Sequence, residues 1–85
     1  MKPVTIYTTS WCPYCTDAKA LLRRKSVAFE EIDVTSRADA RQEMTARANG
    51  RTTVPQIFIG ETHIGGCDDL HALADAGGLD KLLAA

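Results

Sequence analysis

The sequence predicts an α/β domain in which a four-stranded mixed β-sheet is flanked by helices, in the order βαβαββα. Short segments rich in β-branched and aromatic residues alternate with segments whose apolar residues recur at helical spacing. A strand–helix–strand unit opens the chain, and such a unit makes its two strands parallel with a right-handed crossover. Two later strands are close enough in sequence to form a hairpin. At 85 residues, the chain is expected to be a single domain spanning residues 1–85.

The first strand and the first helix are predicted at residues 4–8 and from Pro13 onward. The strand segment reads VTIYT, which suits a short buried strand. Proline is favoured at the first position of a helix, because the N–H that it lacks would have no partner there. The helix is expected to end near the basic residues 23–25, whose charges complement the negative end of the helix dipole.

The second strand is predicted within residues 27–34, where four apolar residues occur with imperfect alternation. Ser36 is a suitable N-cap for a second helix that reaches about Asn49. Gly50 then supplies the left-handed backbone conformation that ends many helices.

The C-terminal part is predicted to contain a β-hairpin and a third helix. Residues 56–59 and 62–64 have strand composition, and Gly60 and Glu61 between them fit a tight turn. The third helix is expected to begin at Cys67 or Asp68 and to stop at Gly77. A short amphipathic tail containing Leu79, Leu82 and Leu83 follows.

The motif Cys12-Pro13-Tyr14-Cys15 lies where the first strand gives way to the first helix. With Pro13 at the first helical position, Cys12 becomes the helix cap, where unpaired backbone N–H groups and the helix dipole favour a thiolate. Cys15 follows about one turn later, within disulfide reach but more enclosed. We therefore expect Cys12 to be the nucleophile and Cys15 the resolving thiol.

The same cysteines also allow a metal site or a structural disulfide. Cys12, Cys15, His63 and Cys67 could formally supply four zinc ligands. A proline inside the motif and a helix that begins directly after it favour thiol exchange instead. We therefore predict redox chemistry and no bound metal.

The composition argues against several classes of partner. Ten basic and eleven acidic residues leave a net charge near zero, so no general attraction to nucleic acid or anionic membranes is expected. No apolar run approaches the length of about 18 residues that a membrane helix needs. Three cysteines do not form the even-numbered framework of a small secreted protein. We expect a cytoplasmic monomer.

A C-x-x-C motif at the first strand–helix junction of such a unit is typical of the thioredoxin-like fold. Within that fold the chain resembles the glutaredoxin family, in particular its small bacterial dithiol members. The resemblance rests on the CPYC motif at residues 12–15, the segment RTTVPQIFI at 51–59 and the segment GGCDD at 65–69. It covers essentially the whole chain.

The resemblance implies a glutathione-disulfide oxidoreductase with no tightly bound cofactor and with glutathione as the electron-donating co-substrate. Pro55 would be a cis proline facing the thiols, and Val54 would offer its backbone N–H and C=O to glutathione. The segment at Cys67 and Asp68 would contact the γ-glutamyl end, although an aspartate at a helix start is often only a cap. The implied glutathione-binding residues are Tyr14, Thr53, Val54, Pro55, Gly66, Cys67 and Asp68, with Arg51 as a further candidate.

One departure from the family concerns a cation. Relatives commonly carry a lysine just before the cysteine motif, where this chain has Thr9. The nearest candidates for the missing charge are Arg51 and Lys19, and both residues could equally be solvated surface cations.

The expected substrates are protein–glutathione mixed disulfides and protein disulfides. Two other functions remain open. A thioredoxin-like redoxin would receive electrons from a flavoprotein reductase, and a glutaredoxin dimer would bridge an iron–sulfur cluster through Cys12 and two glutathiones. Pro13 disfavours the second, because cluster carriers of the family usually have a small residue there.

Overall fold

The computed structural model describes residues 1–84, which form four strands and four helices. The first strand and first helix confirm the predicted junction, with Cys12 in the cap position. The elements in chain order are β1 (Val4–Thr8), α1 (Pro13–Arg24), β2 (Glu30–Asp33), α2 (Ala38–Arg47), β3 (Gln56–Ile59), β4 (Thr62–Gly65), α3 (Cys67–Asp75) and α4 (Gly78–Ala84).

The strands form one mixed sheet in the order β2-β1-β3-β4. β1 pairs with β2 in parallel, as the crossover through α1 requires, and with β3 in the antiparallel direction. β3 and β4 form the predicted hairpin around Gly60 and Glu61. This topology brings the C-terminal end of β1, where the thiols lie, next to the chain that enters β3.

Two apolar clusters lie on opposite faces of the sheet, because successive side chains of a strand point to opposite sides. Ile6 and Ile57 belong to the larger cluster, which also contains buried residues of α1, α3 and α4. Tyr7 and Phe58 belong to the smaller cluster beneath α2. These two rings meet edge to face with centroids 5.7 Å apart, and we call them the Tyr7–Phe58 pair.

The predicted ends of α2 were wrong. The helix begins at Ala38 after an N-cap at Arg37, and Ser36 does not cap it. A turn delays the start, since Asp33 Oδ1 accepts a hydrogen bond from the Thr35 N–H at 2.8 Å. At the other end α2 stops at Arg47, two residues before the predicted end. Gly50 has the predicted positive φ of 91°, but Asn49, with φ 57°, already adopts the left-handed conformation.

The second strand is shorter than predicted, and the tail is helical. Ser26 has φ 58°, and the Val27 N–H donates to the Leu22 carbonyl at 2.9 Å, so the turn that ends α1 extends through Val27. β2 therefore begins only at Glu30. The leucine-containing tail forms α4, and two of its leucines join the larger cluster. Among residues 1–84, no helix combines the length and apolar character needed to cross a membrane.

Candidate active site

Cys12 presents its sulfur at the N-terminal end of α1. Its backbone is extended, with φ −133°, and the helix begins at Pro13. The Cys15 N–H donates a hydrogen bond to the Cys12 Sγ at 3.1 Å, and the Val54 carbonyl oxygen lies 3.9 Å from the same sulfur. Cys12 is half-buried, so a partner sulfur can approach it. An N–H donor at a helix start stabilises negative charge on this sulfur.

Cys15, in contrast, lies in surroundings that keep its thiol protonated. It is only 1% exposed. Burial, followed by the side-chain hydrogen bond with Cys12, raises the pKa of Cys15 to about 12, so this thiol stays protonated near neutral pH. The hydrogen bond and the charge of Cys12 both contribute to this rise and are lost once Cys12 enters a disulfide. The predicted division between attacking and resolving thiol therefore fits the local environment of each sulfur.

A cavity of about 350 Å³ lies beside the thiol pair, bounded by the helix starts of α1 and α3 and by the chain entering β3. Every residue that the sequence predicted to bind glutathione lines it. The lining residues are Tyr14, Arg51, Thr53, Val54, Pro55, Gly66, Cys67, Asp68 and Asp69. Cys12 itself borders a second depression, lined by residues 10–13 and Thr16.

Val54 contributes backbone groups to the wall of this cavity. The Val54–Pro55 peptide bond is cis, as expected. Val54 lies outside the paired residues of the sheet, and within residues 1–84 its N–H takes part in no turn or loop hydrogen bond. Its amide is therefore available to an extended peptide.

Asp69 is a site residue that was not predicted from the sequence. Its Oδ2 accepts hydrogen bonds from the Gly66 N–H at 2.9 Å and from Arg51 Nη1 at 3.2 Å. These two donors, the backbone N–H first, hold the pKa of Asp69 below its ordinary range. Gly65 next to them has φ +117°, and a Cβ there would lie 2.8 Å from Arg51 Nη1 and collide with the Asp69 carboxylate. The spacing from Gly66 to Asp69, that of a capping box, was the signal in the sequence.

Asp68 is therefore not the cap of α3. That role belongs to Asp69, and no side-chain hydrogen bond or ion pair between residues 1 and 84 uses Asp68. Asp68 is exposed at the cavity. Its carboxylate can accept a hydrogen bond from a ligand without uncapping the helix.

The two candidate cations have different surroundings. Arg51 lines the cavity, whereas Lys19 Nζ donates to Glu31 Oε2 at 2.9 Å and so links α1 to β2. The hydrogen bond from Lys19, and then the one from Thr8, holds the pKa of Glu31 below its ordinary value. Arg51 is thus the cation beside the predicted ligand-binding residues.

Comparison with known proteins identifies the family. The glutaredoxin family model matches residues 4–64, which include both thiols, the cis proline and the hairpin. The chain belongs to the glutaredoxin family. A glutaredoxin of Pseudomonas aeruginosa is 64% identical over 85 residues, which is the full length of both chains.

Solved glutaredoxin structures share the thioredoxin-like fold. The solution structure of glutaredoxin from Brucella melitensis is 58% identical, with a TM-score of 0.85 over 98% of this chain and 89% of that one. The buckwheat glutaredoxin–glutathione complex is 29% identical, with the same TM-score of 0.85 over 98% of this chain and 77% of that one. Family membership and the thiol pair together give this glutaredoxin thiol–disulfide oxidoreductase chemistry.

Two aromatic residues near the thiols differ in position. Tyr14 is 64% exposed and forms one edge of the cavity. Trp11 is 95% exposed and borders the depression on the other side of Cys12. Both rings leave the sulfur accessible to a macromolecular disulfide.

Proposed function

We propose that this glutaredoxin is a glutathione-dependent oxidoreductase that reduces protein–glutathione mixed disulfides and protein disulfides. The observation that carries the proposal is the cavity next to the Cys12 sulfur, which combines a free backbone amide with charged groups of both signs. Its volume of about 350 Å³ suits a small peptide. A relative with 29% identity has been solved in complex with glutathione, which adds support.

Each part of glutathione has a counterpart in this cavity. The cysteinyl residue lies along Val54, whose N–H and C=O pair with it as a neighbouring strand would. The α-carboxylate of the γ-glutamyl group accepts from N–H groups at the start of α3, and its ammonium donates to Asp68. Arg51 attracts the glycine carboxylate, and Asp69 holds the Arg51 side chain at the cavity. This orientation directs the ligand sulfur toward Cys12.

The reaction of a glutathionylated protein proceeds through two exchanges. The Cys12 thiolate attacks the glutathione sulfur, the S–S bond breaks, and the substrate protein leaves as a thiolate that takes a proton from water. A second glutathione thiolate then attacks the Cys12-bound glutathione, giving glutathione disulfide and regenerating Cys12.

A protein disulfide requires Cys15. Cys12 first forms a mixed disulfide with the substrate, which removes the Cys12 charge and the hydrogen bond that raise the pKa of Cys15. Cys15 then attacks the Cys12 sulfur, releasing the reduced substrate and leaving a Cys12–Cys15 disulfide. Two molecules of glutathione reduce that disulfide and are oxidised to glutathione disulfide.

The deciding experiment measures turnover of a glutathionylated peptide with glutathione, NADPH and glutathione reductase. We expect Cys15→Ser to remain active and Cys12→Ser to be inactive, because the first route needs one thiol. An inactive Cys15→Ser enzyme would instead indicate a dithiol redoxin, and a flavoprotein thioredoxin reductase in place of glutathione tests that function. Anaerobic purification with glutathione tests the cluster-bridging dimer, since we expect a colourless monomer.

Recognition of the γ-glutamyl ammonium is tested by Asp68→Asn. Loss of one partly exposed charge contact costs up to ~1 kcal/mol, so KM for glutathione should rise up to about fivefold. Asp39→Asn is the matched control, because Asp39 is also exposed but lies on α2, across the sheet from α3. Equal KM values for the two variants would contradict the role of Asp68.

A further inference from the structure

Three side chains with metal-ligating atoms meet between α1 and α3. Asp17, Cys67 and His71 each direct one donor atom toward the others, and these atoms all lie within 4.8 Å of one another. Across residues 1–84, no side-chain hydrogen bond or ion pair uses any of the three side chains. Cys12 and Cys15, which carry the proposed exchange chemistry, are not members of this cluster.

The core of the protein determines this arrangement. Cys67 and His71 are four residues apart on α3, so they lie on the same face of the helix. Asp17 is in α1, and the next residue, Ala18, belongs to the same larger apolar cluster as Leu70 of α3. The three donors are thus held by two helices that pack against each other, and not by a loop.

We propose that Asp17, Cys67 and His71 form a Zn²⁺ site with three protein ligands and water in the remaining position. A thiolate, an imidazole and a carboxylate are all established zinc ligands, and three protein ligands plus water complete a tetrahedral shell. Zinc–ligand distances of ~2.0–2.3 Å separate tetrahedral donors by roughly 3.5 Å. Donors within 4.8 Å therefore reach this geometry through side-chain adjustments of about 1 Å.

The charges of this site also suit a divalent cation. Zn²⁺ between Cys67 and Asp17 is attracted by the carboxylate and by the thiolate that forms on binding, and the exposed Asp68 adds a further negative charge next to Cys67 in the chain. On binding, the Cys67 thiol loses its proton to water and the charges of thiolate and carboxylate balance that of the ion.

This ligand set differs from the one that the sequence suggested. His63, which was grouped with Cys67 on sequence grounds, has its Nε2 at 2.7 Å from Gln56 Oε1 and its ring 5.1 Å from that of Phe58. His71 is the histidine whose ring nitrogen lies near the Cys67 sulfur. Substituting His71 and His63 in turn therefore tests which histidine is a ligand of the proposed site.

The test uses the complete, untagged chain in which Cys12→Ser and Cys15→Ser remove the competing thiol pair. Zn²⁺ binding is measured by competition with a chromogenic chelator, and Co²⁺ is used to report thiolate ligation through its charge-transfer absorption. We expect one Zn²⁺ per chain and a thiolate–cobalt band. Adding His71→Gln or Asp17→Asn should weaken Zn²⁺ binding at least ~10-fold, since loss of even an outer-shell partner costs 10- to 100-fold.

Matched controls separate this site from adventitious binding. Adding His63→Gln or Asp39→Asn should leave the Zn²⁺ affinity unchanged, and Cys67→Ser should abolish the cobalt band. If the Cys67 variant does not fold, the variants at the exposed Asp17 and the half-buried His71 still test the proposal through their Zn²⁺ affinity. The proposal is overturned if the starting variant binds no Zn²⁺, or if binding survives both His71→Gln and Asp17→Asn. Neither result decides the proposed thiol exchange, whose nucleophile is Cys12, although Cys67 also lines the glutathione cavity.

Discussion

Replacing Gly65 with alanine should destabilise the protein by about 2–4 kcal/mol, because two costs combine. The backbone at Gly65 has φ +117°, a conformation that costs a residue with a side chain roughly 1–3 kcal/mol. The new Cβ would also lie 2.8 Å from Arg51 Nη1 and collide with the Asp69 carboxylate. Displacing Asp69 removes its hydrogen bond to the Gly66 N–H, and losing such a cap costs ~1 kcal/mol.

The assay is urea unfolding of the reduced protein, followed by circular dichroism. Gly77→Ala is the control, because Gly77 has φ +78° but no heavy atom within 4 Å of an added Cβ. We expect this control to cost only about 1–2 kcal/mol, the penalty for a left-handed backbone. Asp69→Ala already removes the cap, so Gly65→Ala should cost about 1 kcal/mol less in that background.

Equal destabilisation by Gly65→Ala and Gly77→Ala would refute the argument from crowding. Full additivity of Gly65→Ala and Asp69→Ala would show that the added methyl group does not act through the cap. The glutathione KM of Gly65→Ala provides a second readout, which should rise because Arg51 is displaced from the cavity.

Three further predictions concern the helix α2, the edge of the sheet and the thiols. Arg47→Met should reduce the free energy of unfolding in urea by about 1–2 kcal/mol. The Arg47 guanidinium lies 4.2 Å from the centroid of the Phe58 ring and donates a hydrogen bond to the Tyr7 hydroxyl at 2.8 Å. A loss no larger than that of the exposed control Arg24→Met would contradict this. Because the folded state holds the pKa of Glu31 below its ordinary 4.5, the unfolded state binds more protons as the pH falls through that value, and stability declines. Glu31→Gln should therefore reduce the free energy of unfolding at pH 7 by less than ~1 kcal/mol and make it fall less steeply between about pH 5 and 3. If urea unfolding shows the same pH dependence in the variant, the ion pair does not contribute. One equivalent of iodoacetamide at neutral pH should alkylate Cys12 before Cys15, because the pKa of about 12 keeps Cys15 a thiol. Equal labelling of the two cysteines in peptide mass spectrometry would disprove the assigned roles.

Features that depend on neighbouring residues were predicted correctly from the sequence. Pro13 fixed the start of α1 and so the cap position of Cys12. The two residues between β3 and β4 leave little choice other than a hairpin, and the strand–helix–strand order made β1 and β2 parallel. The cavity residues were found through the resemblance to glutaredoxins, because the backbone role of Val54 leaves no signal in side-chain chemistry.

Features that depend on distant contacts were missed or misplaced. Ser36 has the side chain of a helix cap, but the preceding turn is set by Asp33 and by Thr35, whose hydroxyl accepts from the Ser10 N–H at 2.9 Å. These residues belong to different segments, so a local pattern could not place the start of α2. The shortened β2 has a local cause instead, because the turn that ends α1 includes Val27.

The sequence by itself determined the fold class, the family and the position of the thiol pair at the start of α1, since each follows from short-range patterns and the spacing of motifs. Only the tertiary structure decided that Asp69 holds Arg51 at the cavity. It also decided that Asp17 of α1, and not His63, lies beside Cys67 and His71. These contacts join segments far apart in the chain, and their distances depend on how the helices pack on the sheet.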